Sequence, residues 1–428
     1  MIFIYAKAHS PRLEYTCKLL FNNVLGVKFS IVTSIDTRSK IPLINYSEEE
    51  LPGSLRIIPH ALLFESDIKE QAIRVEFQDK IPCFFKTSDS PDLPYDLFAS
   101  SFYTAVRYEE YLPFVPDAHG RFSAKESLAF RENFLQIPIV HIWSNILKNR
   151  ILEKFPHLIF PEKKFEQINT IDIDVAYAFK GKPWLRQAGN IFKSLLGGKT
   201  QELKKRLDYW VKGIDYLDTY DYIKEVAESS GIYPVFFLEI GKYARYDRNL
   251  PLNRTYKSLI KKLEEFGELG IHPSYRSNFK PEDLPRLVRK LEKITKKKIT
   301  KSRQHFLMLR FPETYERLIS NGIEEDYTMG FADSVGFRSG LCVPYPFFNL
   351  RKNEERPLTI IPFQVMDGTL KEYMQLSVSD AQKRLQDLRE ETKKAGGIFV
   401  CLFHNSSLTD DAPWKGWRKV YETAYKQS

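Results

Sequence analysis

The sequence is poor in the features that would place it outside ordinary globular enzymes. It has four cysteines in 428 residues, Cys17, Cys83, Cys342 and Cys401, and none stands in a CxxC pair. That spacing excludes a zinc ribbon or a disulfide scaffold, and buried free thiols in a reducing compartment are expected. No run approaches ~18 uninterrupted apolar residues, so no transmembrane helix is expected. The opening "MIFIYAKAHS" lacks a basic stretch before its short apolar run and does not read as a secretory signal, which points to a cytoplasmic protein. Internal repeats and low-complexity segments are absent too.

What is present suits well-packed cores. The chain is 43% hydrophobic and 14% aromatic, with 31 Phe and 23 Tyr. Its length suits two domains. The net charge of +9 raises the question of nucleic acid. The densest basic run, "RLVRKLEKITKKKITKSR", answers it. Leu284, Leu287, Val288, Leu291 and Ile294 recur at helical spacing, so the lysines cover a solvent face. Nucleic-acid binding is not expected. Attraction to an anionic glycan or a peripheral contact with a membrane surface stays open, and nothing specifies an oligomer.

The first part mixes short elements. "IFIYA", "VKFSIV", "ALLFE", "AIRVEF" and "IPCFFK" predict strands, and "YDLFASSFYTAVRYEEYL" predicts a helix. A stronger helix is predicted over residues 138–155, with Pro138 in its first turn. "FPHLIFPEKKFEQ" then brings two prolines and a charge cluster, which sets a boundary near 160. The expected domains are 1–160 and 161–428. In the first, "VPDAHGRFSAKES" gathers Asp117, His119 and Arg121 in a loop suited to an interface or a site rim.

The second part alternates strand and helix. Strands are predicted at "QINTIDID", "YPVFFLEI", "LGIH", "QHFLML", "TIIPFQVM" and "GIFVCLFH". Helices are predicted over 255–266, in the basic run, at "PETYERLISNG", and after a capping box of Ser379 and Gln382. This alternation implies an α/β domain with a parallel sheet covered by helices, as a barrel or an open sheet. In both, chemistry gathers at the carboxyl ends of the strands. Asp172 and Asp174 end one strand and share a face, since residues two apart point the same way. Two carboxylates so close repel unless a cation or proton lies between them, or unless they sit in a wet loop. His272 ends another strand, His404 another, and Arg303 and His305 stand at or before the start of "QHFLML". A DxD alone is a common turn pattern. The set of two Asp and three His at strand ends fits a divalent metal with N/O ligands and an open position for water.

These residues resemble the polysaccharide deacetylases, the carbohydrate esterase family 4 or NodB-homology group. The resemblance runs from about residue 165 to the C-terminus through "TIDID", "GIHPSY", "SRQHF" and "CLFHN", in the family's order. "GIHPSY", "RQHF" and "DYTMGFAD" are similar to a bacterial subgroup with an extra N-terminal domain. The resemblance implies a distorted (β/α) barrel preceded by a smaller mixed α/β domain, and a metal-dependent hydrolase removing an acetyl group from a sugar or glycan precursor, with N-acetyl favoured over O-acetyl. It implies Asp172 as general base, Arg303 as its partner and His404 as general acid. Asp174 and His272 follow as metal ligands, zinc being favoured. The family's second motif normally ends in a second His, where this chain has Arg276, which cannot ligate a metal. His305 is expected in the vacant ligand place. Tyr275, Arg276 and Asp367 are candidate substrate contacts, Asp367 standing in a weak version of the fourth motif. The alternatives are a degenerate glycan-binding member without catalysis and, less favoured, a DxD glycosyltransferase.

Overall fold

In the computed structural model the described residues are 1–35, 41–89, 92–182 and 200–425. Strands β1 (Ile2–Ala6), β2 (Phe29–Val32), β3 (Leu43–Tyr46) and β4 (Leu55–Ile57) form a parallel sheet in the order β2-β1-β3-β4. A short antiparallel pair follows, β5 (Glu76–Gln78) and β6 (Ile81–Cys83). The larger sheet has nine strands. They are β7 (Glu166–Ile173), β8 (Val235–Leu238), β9 (Glu268–Ile271), β10 (Lys301–Ser302), β11 (Glu325–Asp326), β12 (Tyr345–Asn349), β13 (Glu354–Ile360), β14 (Val365–Met366) and β15 (Ile398–His404). Their order is β12-β13-β11-β10-β9-β8-β7-β15-β14, parallel except for the antiparallel β12–β13 pair.

The alternation read from the sequence is thus a mixed α/β fold with a mostly parallel sheet. Among the described residues no ladder joins β12 to β14, so the row of strands has two ends. The sheet nevertheless curls. In a flat sheet β8 and β11 would stand about 14 Å apart, yet the rings of Phe237 in β8 and Tyr327 just after β11 lie 5.2 Å apart. They belong to an inner apolar cluster with Phe363, Val400 and Leu402. On the outer side, Ile171 and Ile173 join the main core with the helices.

Several predicted elements differ in the structure. "ALLFE" is a single 3₁₀ turn, Ala61–Phe64, and only the last two residues of "AIRVEF" pair, in the strand Glu76–Gln78. "TIIPFQVM" splits into β13 and β14 at Pro362, which has no N–H for a ladder. The helix after it begins two residues early. Ser377, not Ser379, is its N-cap, accepting from the Asp380 N–H at 3.2 Å. "QHFLML" is not a strand. The strand lies before it, in Lys301–Ser302, and His305–Leu307 form a 3₁₀ turn with Phe306 and Leu307 at φ of 59° and 52°. So Arg303 and His305 follow a strand end rather than open a strand. The apolar run misled because Leu307 and Met308 are buried by the turn itself. The basic helix Asp283–Thr295 buries Leu284, Leu287, Val288 and Leu291 as its periodicity predicts. All four cysteines are buried and unpaired. No helix among the described residues is long and apolar enough to cross a membrane.

Candidate metal centre

Register brings the polar strand ends into one row. His404 pairs with Asp172, Leu238 with both Ile173 and Ile271, and Ile271 with Ser302. The residues at and just beyond these positions, Asp172, Asp174, Glu239, His272, Arg303, His305 and His404, therefore meet at the carboxyl edge of five adjacent strands. Six of these seven are the residues singled out from the sequence.

Asp174, His272 and His305 each offer one ligand atom within 4.8 Å of the others. Asp174 Oδ1 lies 3.2 Å from His272 Nε2, and its Oδ2 lies 3.5 Å from His305 Nε2. The far nitrogens of both rings are engaged. His272 Nδ1 donates to the Arg303 carbonyl at 2.6 Å, and His305 Nδ1 meets Asp247 Oδ1 at 3.1 Å. Each ring is thereby held with its Nε2 toward Asp174, the arrangement that orients metal-binding imidazoles. Asp174 Oδ1 is buried without a hydrogen-bond partner, although 30% of its side chain is exposed. An orphaned oxygen on a carboxylate that faces two Nε2 atoms fits a cation.

Asp172 is set differently. It is 2% exposed. Its Oδ1 accepts from Arg303 Nη1 at 3.0 Å, and its Oδ2 lies 3.7 Å from His272 Nε2. Arg303 is completely buried. It donates to Thr170 Oγ1 at 2.6 Å and to the Tyr327 carbonyl at 2.9 Å, and its guanidinium lies 4.7 Å from the Phe237 ring centroid. That packing fixes a positive charge beneath Asp172.

His404 faces Asp174 Oδ2 at 3.7 Å through Nε2. Asp367 grips it from behind, taking the His404 backbone N–H at 2.7 Å and meeting Nδ1 at 2.7 Å. The substrate contact expected of Asp367 does not suit its place, since it is fully buried and its oxygens are occupied by His404 and the Gly368 N–H. Arg276 also departs from expectation. It turns outward and pairs with Asp283 at 3.0 Å. Tyr275 is not among the residues lining the site cavity; it packs behind Phe306, its ring 5.2 Å from that of Phe306 and 4.5 Å from that of Tyr246, with its hydroxyl 3.3 Å from His119 Nδ1.

The field of the carboxylates governs protonation. Burial disfavours charge on His305 and His404. For His305 the carboxylate of Asp174, with Asp247 and Glu239, outweighs it and pushes the pKa up to about 10. For His404 the same is done by Asp367, Asp174 and Asp172, again to about 10. Burial works against the charge of Asp174 too, but His305, His272 and His404 hold its carboxyl well below the usual range. A proton on His305 and a bound cation are alternative answers to the same negative field.

Two contributors were missed in the sequence, and a third was read only as loop. Glu239 directly follows β8, and the rule that marked the other strand ends would have found it. It is fully buried, and burial pushes it up to about 8, His305 opposing and Asp247 and Asp174 adding to the shift. Asp247 lies in the loop "YARYDRNLP" with no periodic signal, yet it binds His305 and caps the Tyr275 N–H at 2.7 Å. Arg121, read only as part of an interface or rim loop, lines the roughly 150 Å³ site cavity beside Asp172, Asp174 and His404. It donates to the Phe306 carbonyl at 2.8 Å and the Tyr373 hydroxyl at 3.1 Å.

Comparison with known proteins adds little to this geometry. A family model described as "Family of unknown function (DUF7033)" matches residues 2–156. No curated protein matches the chain. A crystal structure described as "putative polysaccharide deacetylase from Mycobacterium smegmatis" is similar over 62% of this chain and 85% of its own, with 13% identity and a TM-score of 0.39. So slight a likeness carries no argument about the site.

Proposed function

We propose that the chain is a metal-dependent hydrolase of the polysaccharide deacetylase type, removing an acetyl group, N-acetyl before O-acetyl, from a sugar or glycan precursor. The observation that carries this reading is the convergence of Asp174, His272 and His305, with a restrained carboxylate on one side and a restrained imidazole on the other. Asp174, His272 and His305 would hold the metal, zinc suiting their one oxygen and two nitrogens, and it would supply a Lewis acid that acidifies water and polarises the acetyl carbonyl.

The chain's own groups divide the proton work. Asp172, oriented by its 3.0 Å contact with Arg303, takes a proton from the attacking water. His404, protonated at neutral pH and held by Asp367, gives a proton to the departing amine or alcohol. The cavity, about 150 Å³, has room for one acetyl group. The curled sheet, in this proposal, is the family's distorted (β/α) barrel. Residues 161–428 carry the chemistry, 1–160 are a separate smaller domain that reaches the site through Arg121, and the setting is cytoplasmic.

Elemental analysis of the purified protein and of His305→Ala tests the reading. About one metal per chain in the wild type, lost in the variant, is expected. A wild type that takes up no zinc yet binds saccharides would replace this reading with a glycan-binding protein without catalysis.

A further inference from the structure

A second cavity, a groove of about 970 Å³, adjoins the metal cluster. Gly120 lines the groove and the next residue, Arg121, lines the site cavity, so one loop forms a wall of both. Leu112, Phe114, Leu309 and Phe311 give the groove an apolar side. Its carboxylates are all matched. Glu110 is bound by Arg107 and Arg338, Glu313 by Arg351, and Glu316 by Lys352 and Arg356.

Two cations in the groove are left over. Arg310 is exposed and has no ion pair among the described residues. Arg317 donates to the carbonyls of Glu313, Ser277 and Asn278 at 3.2–3.3 Å, which fix its guanidinium without neutralising it. The two feel each other. Burial lowers the Arg317 pKa, Glu313 opposes, and the charge of Arg310 lowers it further. Arg317 shares the carboxylate of Glu313 with Arg351 and Arg310 has no ion pair among the described residues, so guanidiniums outnumber their counter-charge along this wall until an anion joins them. Their planar forks suit phosphoryl oxygens, one fork to each group.

We propose that this groove binds a phosphorylated ligand, with a diphosphate on Arg310 and Arg317 and an attached apolar or aromatic group against Leu112, Phe114 and Phe311. Two sources present that chemistry, a nucleoside diphosphate and a prenyl diphosphate. The groove is outside the metal cluster, and its test reads binding rather than turnover, so it stands or falls apart from the hydrolase reading.

Calorimetric titration with uridine diphosphate and with geranyl diphosphate, on wild type, Arg310→Glu and Asp174→Ala, decides it. Millimolar or tighter binding of at least one probe is expected. Asp174→Ala should retain it, and Arg310→Glu should weaken it by about tenfold or more. Arg310 is exposed, so that variant should fold. Arg317→Gln should act in the same direction. The tighter of the two probes identifies the source. Absence of binding for both, or binding lost in Asp174→Ala and kept in Arg310→Glu, would overturn the proposal.

Discussion

Two buried charge clusters in this molecule make an instructive pair. One joins the first 160 residues to the second part. Arg107 donates to Glu110 at 2.7 Å, to Glu109 at 2.6 Å and to the Arg338 carbonyl at 2.5 Å. Arg338 donates to Glu110 at 2.9 and 2.5 Å and to the Gly330 carbonyl at 2.8 Å. Two guanidiniums meet two carboxylates, and every guanidinium nitrogen is satisfied. The other cluster, at the strand ends, is unfinished. Asp174 Oδ1, Glu239 Oε2 and Arg303 Nη2 are buried without hydrogen-bond partners. Burying polar atoms unpaired is costly. A finished network holds parts together. An unfinished one, opening on a cavity, keeps capacity for a ligand, a proton or a substrate.

The sharpest break in that comparison is Asp172→Asn. Turnover should fall by roughly 10³-fold or more while metal content stays near one per chain, and turnover unchanged in a variant that retains metal would remove Asp172 as the base. The finished cluster should answer in the opposite currency. Glu110→Ala leaves Arg107 and Arg338 buried without their shared partner and should cost about 3–5 kcal/mol of stability, read as a shifted denaturant midpoint. Its metal content per folded chain should not change. A loss of metal there would mean the two clusters are not independent.

Acid–base behaviour should separate them too. In chelator-treated protein, His305 and His404 have pKa values raised to about 10 in the folded state. A raised histidine contributes stability in full below its unfolded value of about 6.5, and loses it as pH climbs through the folded value. Metal-free protein should therefore lose stability from about pH 6.5 toward about 10, and zinc should flatten the decline. In the finished cluster Glu110 is lowered and Arg107 raised, which moves both away from that window. An equal decline in zinc-loaded protein would show that His305 is not where the metal binds.

How much of this was legible beforehand follows from the kind of signal each residue gives. Asp172, Asp174, His272 and His404 end strands whose apolar patterns are plain, and two-residue periodicity puts both carboxylates on one face. Helix Asp283–Thr295 was legible for the same reason, its apolar stripe being strong. Arg303 and His305 were found as residues but misplaced as structure, because an apolar run that fills a turn looks like one that fills a strand. Glu239 obeyed a rule that was not applied to it. Asp247 could not be read at all, and Arg121 was legible only as part of a loop suited to an interface or a site rim. Asp247 meets His305 across 58 residues and Arg121 meets Phe306 across 185, and no local pattern encodes such a meeting.

Asp247 gives the next, smaller test. Asp247→Asn removes the charge behind His305 and should weaken zinc affinity by about 10- to 100-fold, with turnover recovering at saturating zinc. Affinity equal to wild type would make Asp247 only a cap for the loop at Tyr275.

The smallest effect is expected at Arg276, where the family pattern asks for a ligand. Its side chain is 41% exposed and paired with Asp283 on the outer surface. A half-exposed pair of that kind contributes about 0–1 kcal/mol. Arg276→Ala should leave both metal content and turnover near wild type if, as proposed, the third donor comes from His305 on the neighbouring strand end. Arg276→His is the stronger form of the same test. If it raised zinc affinity while His305→Ala left zinc bound, the third ligand place would belong to residue 276 after all. If it changed nothing, the site would have moved its second imidazole from one strand end to the next, which the register of Ile271 against Ser302 makes a step of one strand.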